Sequence, residues 1–353
     1  MSSFIVANAN DSGEVELDID DGRKRITARK GSTLLRTLAD RDIFLSTACG
    51  GRGSCGTCKC KILTDIGPPL PTELPYLSPA EIESKVRLSC QVRVESDLRI
   101  VLPDGASRIG RFACTVESMV DLTYDIKEVR LLLPEGRSFD YVPGMFAQIE
   151  VPPHGDVPET TMRAYSFSSS PSDRRRVEFL VRLVPGGIVS TWVHTSLRPG
   201  QRLDIIAPIG ELCVRDTGAT MICVAGGSGM APFKSIFNAM VESGEIAGRD
   251  VWYFFGAKTK RDLFYMDWLR DLSGRFGRFH FVSALSAPVP GEPWEGAVGL
   301  ITSVLDGYLG DKIDTGGPLE GYLCGSPGML DACMNVMKRR GMDPAKIYFD
   351  KYI

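Results

Sequence analysis

Polar and apolar residues alternate strictly over Glu14-Val15-Glu16-Leu17-Asp18-Ile19, the period of a strand with one covered face. Ile26-Thr27-Ala28-Arg29 follows beyond the Asp21-Gly22 turn, which predicts an antiparallel partner. Ser32-Thr33-Leu34-Leu35 opens a short helical pattern ending near Asp40, and a loop rich in cysteine and glycine comes next. Ser78-Pro79-Ala80-Glu81 reads as a capping box with proline at the first helical position. Leu98-Arg99-Ile100-Val101-Leu102 reads as a closing strand. Strand, strand, helix, loop and strand predict a small β-grasp domain over residues 1–106. From 109 to 215 short strands broken by Pro and Gly, at 130–133, 146–151 and 177–184, predict an antiparallel barrel. From 216 to 353 apolar runs at 221–225, 251–255, 279–284 and 321–324 alternate with helical stretches, which predicts a doubly wound parallel sheet. The expected fold is therefore multidomain, α+β followed by α/β.

Length agrees with this division, since 353 residues suit two or three domains. No internal repeat of about 20 to 50 residues is visible. With 43% apolar and 24% charged residues the chain can bury sizeable cores, and a net charge of −3 gives no sign of a nucleic-acid or membrane-surface partner. Residues 1–10 lack a basic stretch followed by an apolar core, and no run reaches the ~18 apolar residues of a spanning helix. A cytoplasmic chain without a transmembrane segment is the expectation.

The ten cysteines are not spread like a disulfide framework, because three crowd into ten residues. Cys49-Gly-Gly-Arg-Gly-Ser-Cys55-Gly-Thr-Cys58 has the spacing C-x5-C-x2-C, and 31 residues separate Cys58 from Cys90. Plant-type [2Fe–2S] domains use C-x4-C-x2-C with a distant fourth cysteine. Three thiolates on one glycine-rich loop can wrap a small diiron core, the fourth can close it, and loop amides can approach its sulfides. A structural zinc site also takes four cysteines, although zinc ribbons pair two C-x2-C knuckles and this chain has one. Cys60 lies two residues past Cys58; if the stretch is a strand, it packs away from the loop. Cys114, Cys213, Cys223, Cys324 and Cys333 are scattered and read mostly as small core residues.

Arg163-Ala164-Tyr165-Ser166 stands in the barrel region and is weak by itself. Gly186-Gly187-Ile-Val-Ser190-Thr191 adds a helix start able to offer N–H groups and hydroxyls to a pyrophosphate. Arg163 would supply a bidentate phosphate partner, Tyr165 a flat surface for a flavin ring, and Ser166 a hydroxyl for its N5. Gly226-Gly227-Ser228-Gly229-Met230-Ala231-Pro232 lies between an apolar strand and a helical pattern, the setting of a dinucleotide pyrophosphate turn. Cys324-Gly325-Ser326-Pro327 is a second strand-to-helix turn, equally readable as a plain turn with a buried cysteine.

Together these motifs resemble the ferredoxin–NADP+ reductase superfamily, and within it the flavin reductases with an N-terminal [2Fe–2S] domain. Those include reductase components of multicomponent oxygenases and the F subunit of sodium-pumping NADH:quinone oxidoreductase. The resemblance implies a β-grasp ferredoxin domain (1–106), a six-stranded FAD barrel (109–215) and an NAD-binding domain (216–353). It implies cluster ligands Cys49, Cys55, Cys58 and Cys90, and flavin contacts from Arg163, Ala164, Tyr165 and Ser166. It assigns the diphosphate to Gly187, Ser190 and Thr191, and the nucleotide pyrophosphate to Gly226, Gly227, Gly229 and Pro232. Cys324 and Gly325 match the nicotinamide-side motif, and Tyr352 the terminal aromatic that covers the flavin, with Phe349 as packing. Ser166, Cys324 and Tyr352 would then flank the reacting atoms. The implied activity passes electrons from NADH to FAD, to [2Fe–2S] and to an accepting partner protein. A multicomponent oxygenase is the expected acceptor; the alternative is a soluble dehydrogenase that serves a quinone, a membrane complex or a corrinoid protein. Lys258, Lys260 and Arg261 would permit NADPH, whereas Asp262 favours NADH. His154, His194 and His280 have no expected catalytic part.

Overall fold

The computed structural model describes residues 13–210 and 212–351 and divides the chain into two compact units, 1–110 and 111–353. The first unit holds β1 (Glu14–Ile19), β2 (Lys24–Arg29), α1 (Leu34–Ala39), β3 (Lys59–Ile62), α2 (Pro79–Glu83), β4 (Val86–Leu88) and β5 (Leu98–Val101). Its five strands are ordered β2-β1-β5-β3-β4. β1 runs antiparallel to β2 and parallel to β5. The alternation in β1 places Val15, Leu17 and Ile19 in a core shared with Leu34 and Leu38 of α1. The predicted Ser78–Glu81 capping box is present, and Thr33 caps α1 by accepting from the Arg36 amide at 3.4 Å. β3 and β4 are additions to the expected strands, with four and three residues, too short for a period to show. A fully buried Glu73 bonds Arg87 at 2.6 Å and accepts from the Leu70 and Leu88 amides, fastening the proline-rich segment before α2.

The second unit begins with a curled antiparallel sheet of β6 (Gly110–Asp121), β7 (Ile126–Leu132), β8 (Phe146–Val151), β9 (Thr161–Ser166), β10 (Arg176–Arg182) and β11 (Arg202–Ile209), with α3 (Ile188–Thr195). The order β10-β7-β6-β11-β8-β9 makes β10 and β9 the edges, and the bridge Phe167↔Phe179 brings them together. Phe167, Phe179, Val129, Ile149 and α3's Val189 and Val193 fill the interior.

The remaining elements are β12 (Thr220–Gly226), α4 (Met230–Ser243), β13 (Val251–Ala257), α5 (Met266–Arg275), β14 (Phe279–Leu285), β15 (Ala297–Val298), α6 (Ile301–Asp311), β16 (Leu319–Gly325), α7 (Pro327–Arg339) and β17 (Ile347–Lys351). The sheet is parallel with order β15-β14-β13-β12-β16-β17. Met221, Cys223 and Ala225 pack with α4 and α5, while Ile222 and Val224 pack with α6 and α7. Cover on both faces is why β12 is an unbroken apolar run. Strand order reverses between β12 and β16, and that switch point is where open α/β sheets bind ligands, beyond the strands' carboxyl ends. β17 lies inside the predicted terminal segment, and its Phe349 is 44% exposed on an edge strand.

Candidate functional site

The cysteine loop follows the residues after α1 and ends at β3. Gly50, Gly51, Gly53 and Gly56 all have positive φ, between 68° and 88°. At Gly56 a Cβ would lie 2.7 Å from Tyr76, so shape as well as torsion demands glycine there. Cys49, Cys58 and Cys90 are buried and Cys55 is half-buried. The four thiols form two contacting pairs, Cys49 with Cys55 and Cys58 with Cys90. Contact within each pair holds Cys49 and Cys90 below the ordinary thiol value and pushes Cys55 and Cys58 above it. Amides of Ser54 and Gly51 reach Cys49, and the Gly53 amide reaches Cys90, which favours thiolates there. Gln91 Nε2 also donates to Cys90 Sγ at 3.6 Å.

This arrangement fits a diiron cluster, which takes two thiolates at each iron. Among the described residues no three His, Cys, Asp or Glu groups are placed to hold a single metal ion. Cys60 faces the other way, into the core with Leu17 and Ile100, and burial pushes its thiol up to about 12.

β9 carries Arg163, Ala164, Tyr165 and Ser166 along the sheet edge, paired with Ile149, Gln148, Ala147 and Phe146 of β8. Arg163 and Tyr165 share one face and Ala164 and Ser166 the other. Tyr165 packs partly on the interior, and burial raises its hydroxyl pKa; Ser166 is buried. Arg163 Nη1 donates to the Met162 carbonyl at 2.7 Å.

Gly187 is the N-cap of α3, and the first helical bond runs from Thr191 N to Gly187 O at 3.0 Å. The amides of Ile188, Val189 and Ser190 precede it, as an anion site at a helix start requires. Thr191 is exposed. Ser190 acts locally, since its buried Oγ accepts from the Val184 amide at 3.1 Å and ties the loop to the helix.

Gly226, Gly227 and Gly229 form the turn from β12 into α4, and Pro232 sits in the first turn of α4, where a missing N–H costs nothing. A Cβ on Gly229 would lie 2.2 Å from the Cys324 carbonyl oxygen, so the turns after β12 and β16 are in backbone contact at the switch point. Cys324 pairs with Ala225 and is fully buried, and Gly325 has φ 151°. Tyr352 lies outside the described residues.

One feature had no strong signal in the sequence. Arg182, at the end of β10, has Nη1 3.2 Å from the Cβ position of Gly227 and bonds Asp125 at 2.8 Å. The barrel sheet thus sets a guanidinium beside the nucleotide turn. Asp262 accepts from Thr259 N at 2.8 Å, Thr259 Oγ1 at 2.6 Å and Tyr124 OH at 2.9 Å. Burial raises its carboxyl, but the bonds from Thr259 and Tyr124 outweigh that and hold it below the ordinary value. Its carboxylate closes a capping box with Thr259.

A paired-cysteine loop, a strand edge beside a helix start, and a glycine turn at a sheet switch point define an oxidoreductase with iron–sulfur, flavin and nicotinamide modules. Family models agree: "2Fe-2S iron-sulfur cluster binding domain" matches residues 17–95, "Oxidoreductase FAD-binding domain" 113–213 and "Oxidoreductase NAD-binding domain" 223–335. The chain is 36% identical to the F subunit of the Na(+)-translocating NADH-quinone reductase of Idiomarina loihiensis, over 96% of this chain and 92% of that one. It is 34% identical to the corresponding F subunit of Pseudomonas aeruginosa, over 99% and 94%. Among solved structures, the Amycolatopsis cytochrome P450 reductase GcoB superposes with TM-score 0.74 at 26% identity, over 96% of this chain and 98% of that one. The ferredoxin reductase in carbazole 1,9a-dioxygenase gives 0.70 at 27%, with the same coverage. The chain belongs to the iron–sulfur flavin reductases of the ferredoxin–NADP+ reductase superfamily, in the family of the Na(+)-translocating NADH-quinone reductase F subunits.

Proposed function

We propose that the chain oxidises NADH at FAD and passes electrons through a [2Fe–2S] cluster to a separate partner protein. The observation that carries this reading is the two-by-two pairing of Cys49, Cys55, Cys58 and Cys90 on a chain that also has flavin and nucleotide motifs. The bound cofactors supply the redox chemistry, and the flavin converts a two-electron donor to one-electron delivery. The chain's own residues bind and orient. Arg163 and the first turn of α3 take the FAD diphosphate, with Gly187 and Thr191 at its edge and Ser190 shaping the loop. Ala164 keeps the strand slim beside Tyr165, which supports the ring, and Ser166 faces its N5. Gly226, Gly227, Gly229 and Pro232 shape the nucleotide turn, and Arg182 adds a cation to it. Cys324 and Gly325 wall the nicotinamide end, and Tyr352 covers the outer flavin face. NADH is proposed as the donor on the F-subunit relatives, whose names specify it. Ligand thiolates must stay reduced, which makes the cytoplasm the proposed compartment.

For the acceptor, a multicomponent oxygenase agrees with the names of the solved relatives. Delivery to a quinone-reducing membrane complex is the second reading, favoured by the 36% identity over 92% of an F subunit. Among the described residues no helix is long and apolar enough to cross a membrane. The test is to purify the chain with its partners from its own cells and assay NADH oxidation on each. Brown protein carrying FAD that reduces cytochrome c supports the core reading; stoichiometric zinc without iron sinks it. A copurifying terminal oxygenase selects the first acceptor, and a membrane quinone reductase selects the second.

A further inference from the structure

Helix α4 starts one residue after Gly229, and Lys234 lies on its second turn. The Lys234 side chain is 15% exposed, and its ammonium bonds Glu178 of β10 and lies 3.5 Å from Glu128 of β7. Glu178 Oε2 accepts from Arg130 Nη2 at 2.9 Å, and its Oε1 from Ser168 Oγ at 2.8 Å. Ser168 stands two residues beyond Ser166, so a bonded path runs from the flavin strand through Glu178 to the helix that begins at the nucleotide turn. Tyr265 closes the cluster: its hydroxyl donates to Glu128, and its ring centroid is 4.7 Å from the Lys234 ammonium. Tyr265 also has φ 56°, a left-handed conformation that a bulky residue keeps only when its surroundings impose it.

We propose that Lys234 is a positioning residue for NADH-to-flavin transfer: clamped between Glu178 and Glu128, it sets the register of the nucleotide turn against the flavin strand. The two acids and the two bases Lys234 and Arg130 balance, and Ser168 and Tyr265 fill further acceptor positions. Stability alone is a poor reason for such a cluster, because buried ion pairs replaced by apolar residues often cost nothing. What charges with fixed partners provide is one docking geometry, and transfer between two rings depends steeply on geometry. Further along α4, Glu242 accepts from Ser170 Oγ at 2.7 Å and Ser172 Oγ at 3.1 Å, but those groups are exposed and hold the helix loosely.

The inference rests on the flavin–nucleotide reading above, and the experiment separates the two. Full-chain holoprotein is mixed rapidly with NADH, and the limiting rate of flavin reduction is recorded. NAD+ affinity, FAD content, and hydrogen exchange of residues 227–240 are measured alongside. Wild type, Lys234→Arg, Lys234→Met, Lys234→Met with Glu178→Gln, and Glu242→Gln are compared. In Lys234→Met the limiting rate falls ~10- to 100-fold, as for a displacement of about 1 Å. FAD content and NAD+ affinity stay within about threefold, exchange in 227–240 quickens, and Lys234→Arg recovers most of the rate. Glu242→Gln behaves as wild type. A Lys234→Met rate within twofold of wild type overturns the proposal, as does a loss matched by lost FAD or nucleotide affinity. The double variant leaves no unpaired carboxylate at Glu178, so it tests the same point if Lys234→Met misfolds. Misfolding of both makes Lys234 purely structural and also overturns it. Failure of wild type to reduce its flavin with NADH would instead remove the reading beneath it.

Discussion

At Gly229 a single methyl group decides whether two turns can meet. Its Cβ would stand 2.2 Å from the Cys324 carbonyl oxygen, backbone that cannot swing aside. Gly229→Ala is expected to lower NADH turnover by at least about tenfold, roughly 1.4 kcal/mol of lost positioning, while FAD and iron contents stay normal. NADH–ferricyanide kinetics with cofactor analysis check this. Cys90→Ser should leave NADH–ferricyanide activity largely intact and abolish cytochrome c reduction; equal loss of both in a folded variant would contradict the proposed electron order. Arg163→Ala should weaken FAD retention through loss of a charge-assisted phosphate contact, read as flavin lost on gel filtration. These residues were legible because spacing and glycine content survive in one dimension. Arg182 and Lys234 were not, since each acts on a turn through partners remote from it along the chain. Glu178 left only a trace, a carboxylate in the middle of an apolar strand.

Among the elements, short caps did as their sequences said and short strands did not. The Ser78–Glu81 box formed because its bonds span three residues, whereas β3 and β4 exist only through partners elsewhere. The α2 cap gives a pH prediction. The hydrogen bond from Lys59 and the Ser78 amide lower Glu81 from 4.5 to about 2. A depressed carboxyl stabilises fully above its unfolded value and loses that contribution as pH falls through the folded one. Stability of the first unit should therefore decline from about pH 4.5 toward pH 2 in wild type, and less steeply in Glu81→Gln. Melting followed at the cluster's visible absorbance measures it. Asp262 carries a charge that the sequence reading weighs toward NADH, but its side chain closes a cap with Thr259. Asp262→Asn should shift NADH over NADPH preference by less than about threefold, against the roughly tenfold or greater loss expected for a lost charge-assisted contact.

For the whole molecule, the domain division 1–106, 109–215 and 216–353 is a proposal about what folds alone. Limited proteolysis is expected to cut between 106 and 111 and release a fragment that keeps FAD and NADH–ferricyanide activity but no iron. A cut chain that loses FAD would refute the first boundary. By itself the sequence determined what depends on neighbours along the chain: cysteine spacing, glycine turns, the period of β1, and the apolar runs of a sheet covered on both faces. Tertiary structure alone decided what depends on distant residues meeting. It sorted four thiols into two pairs, closed the curled sheet at Phe167 and Phe179, and occupied the Asp262 carboxylate. It also tied Lys234 to Glu178 across 56 residues. The reason is physical: local torsion and periodicity are encoded residue by residue, whereas a through-space ion pair has no signature until the packed sheets and helices bring its ends together.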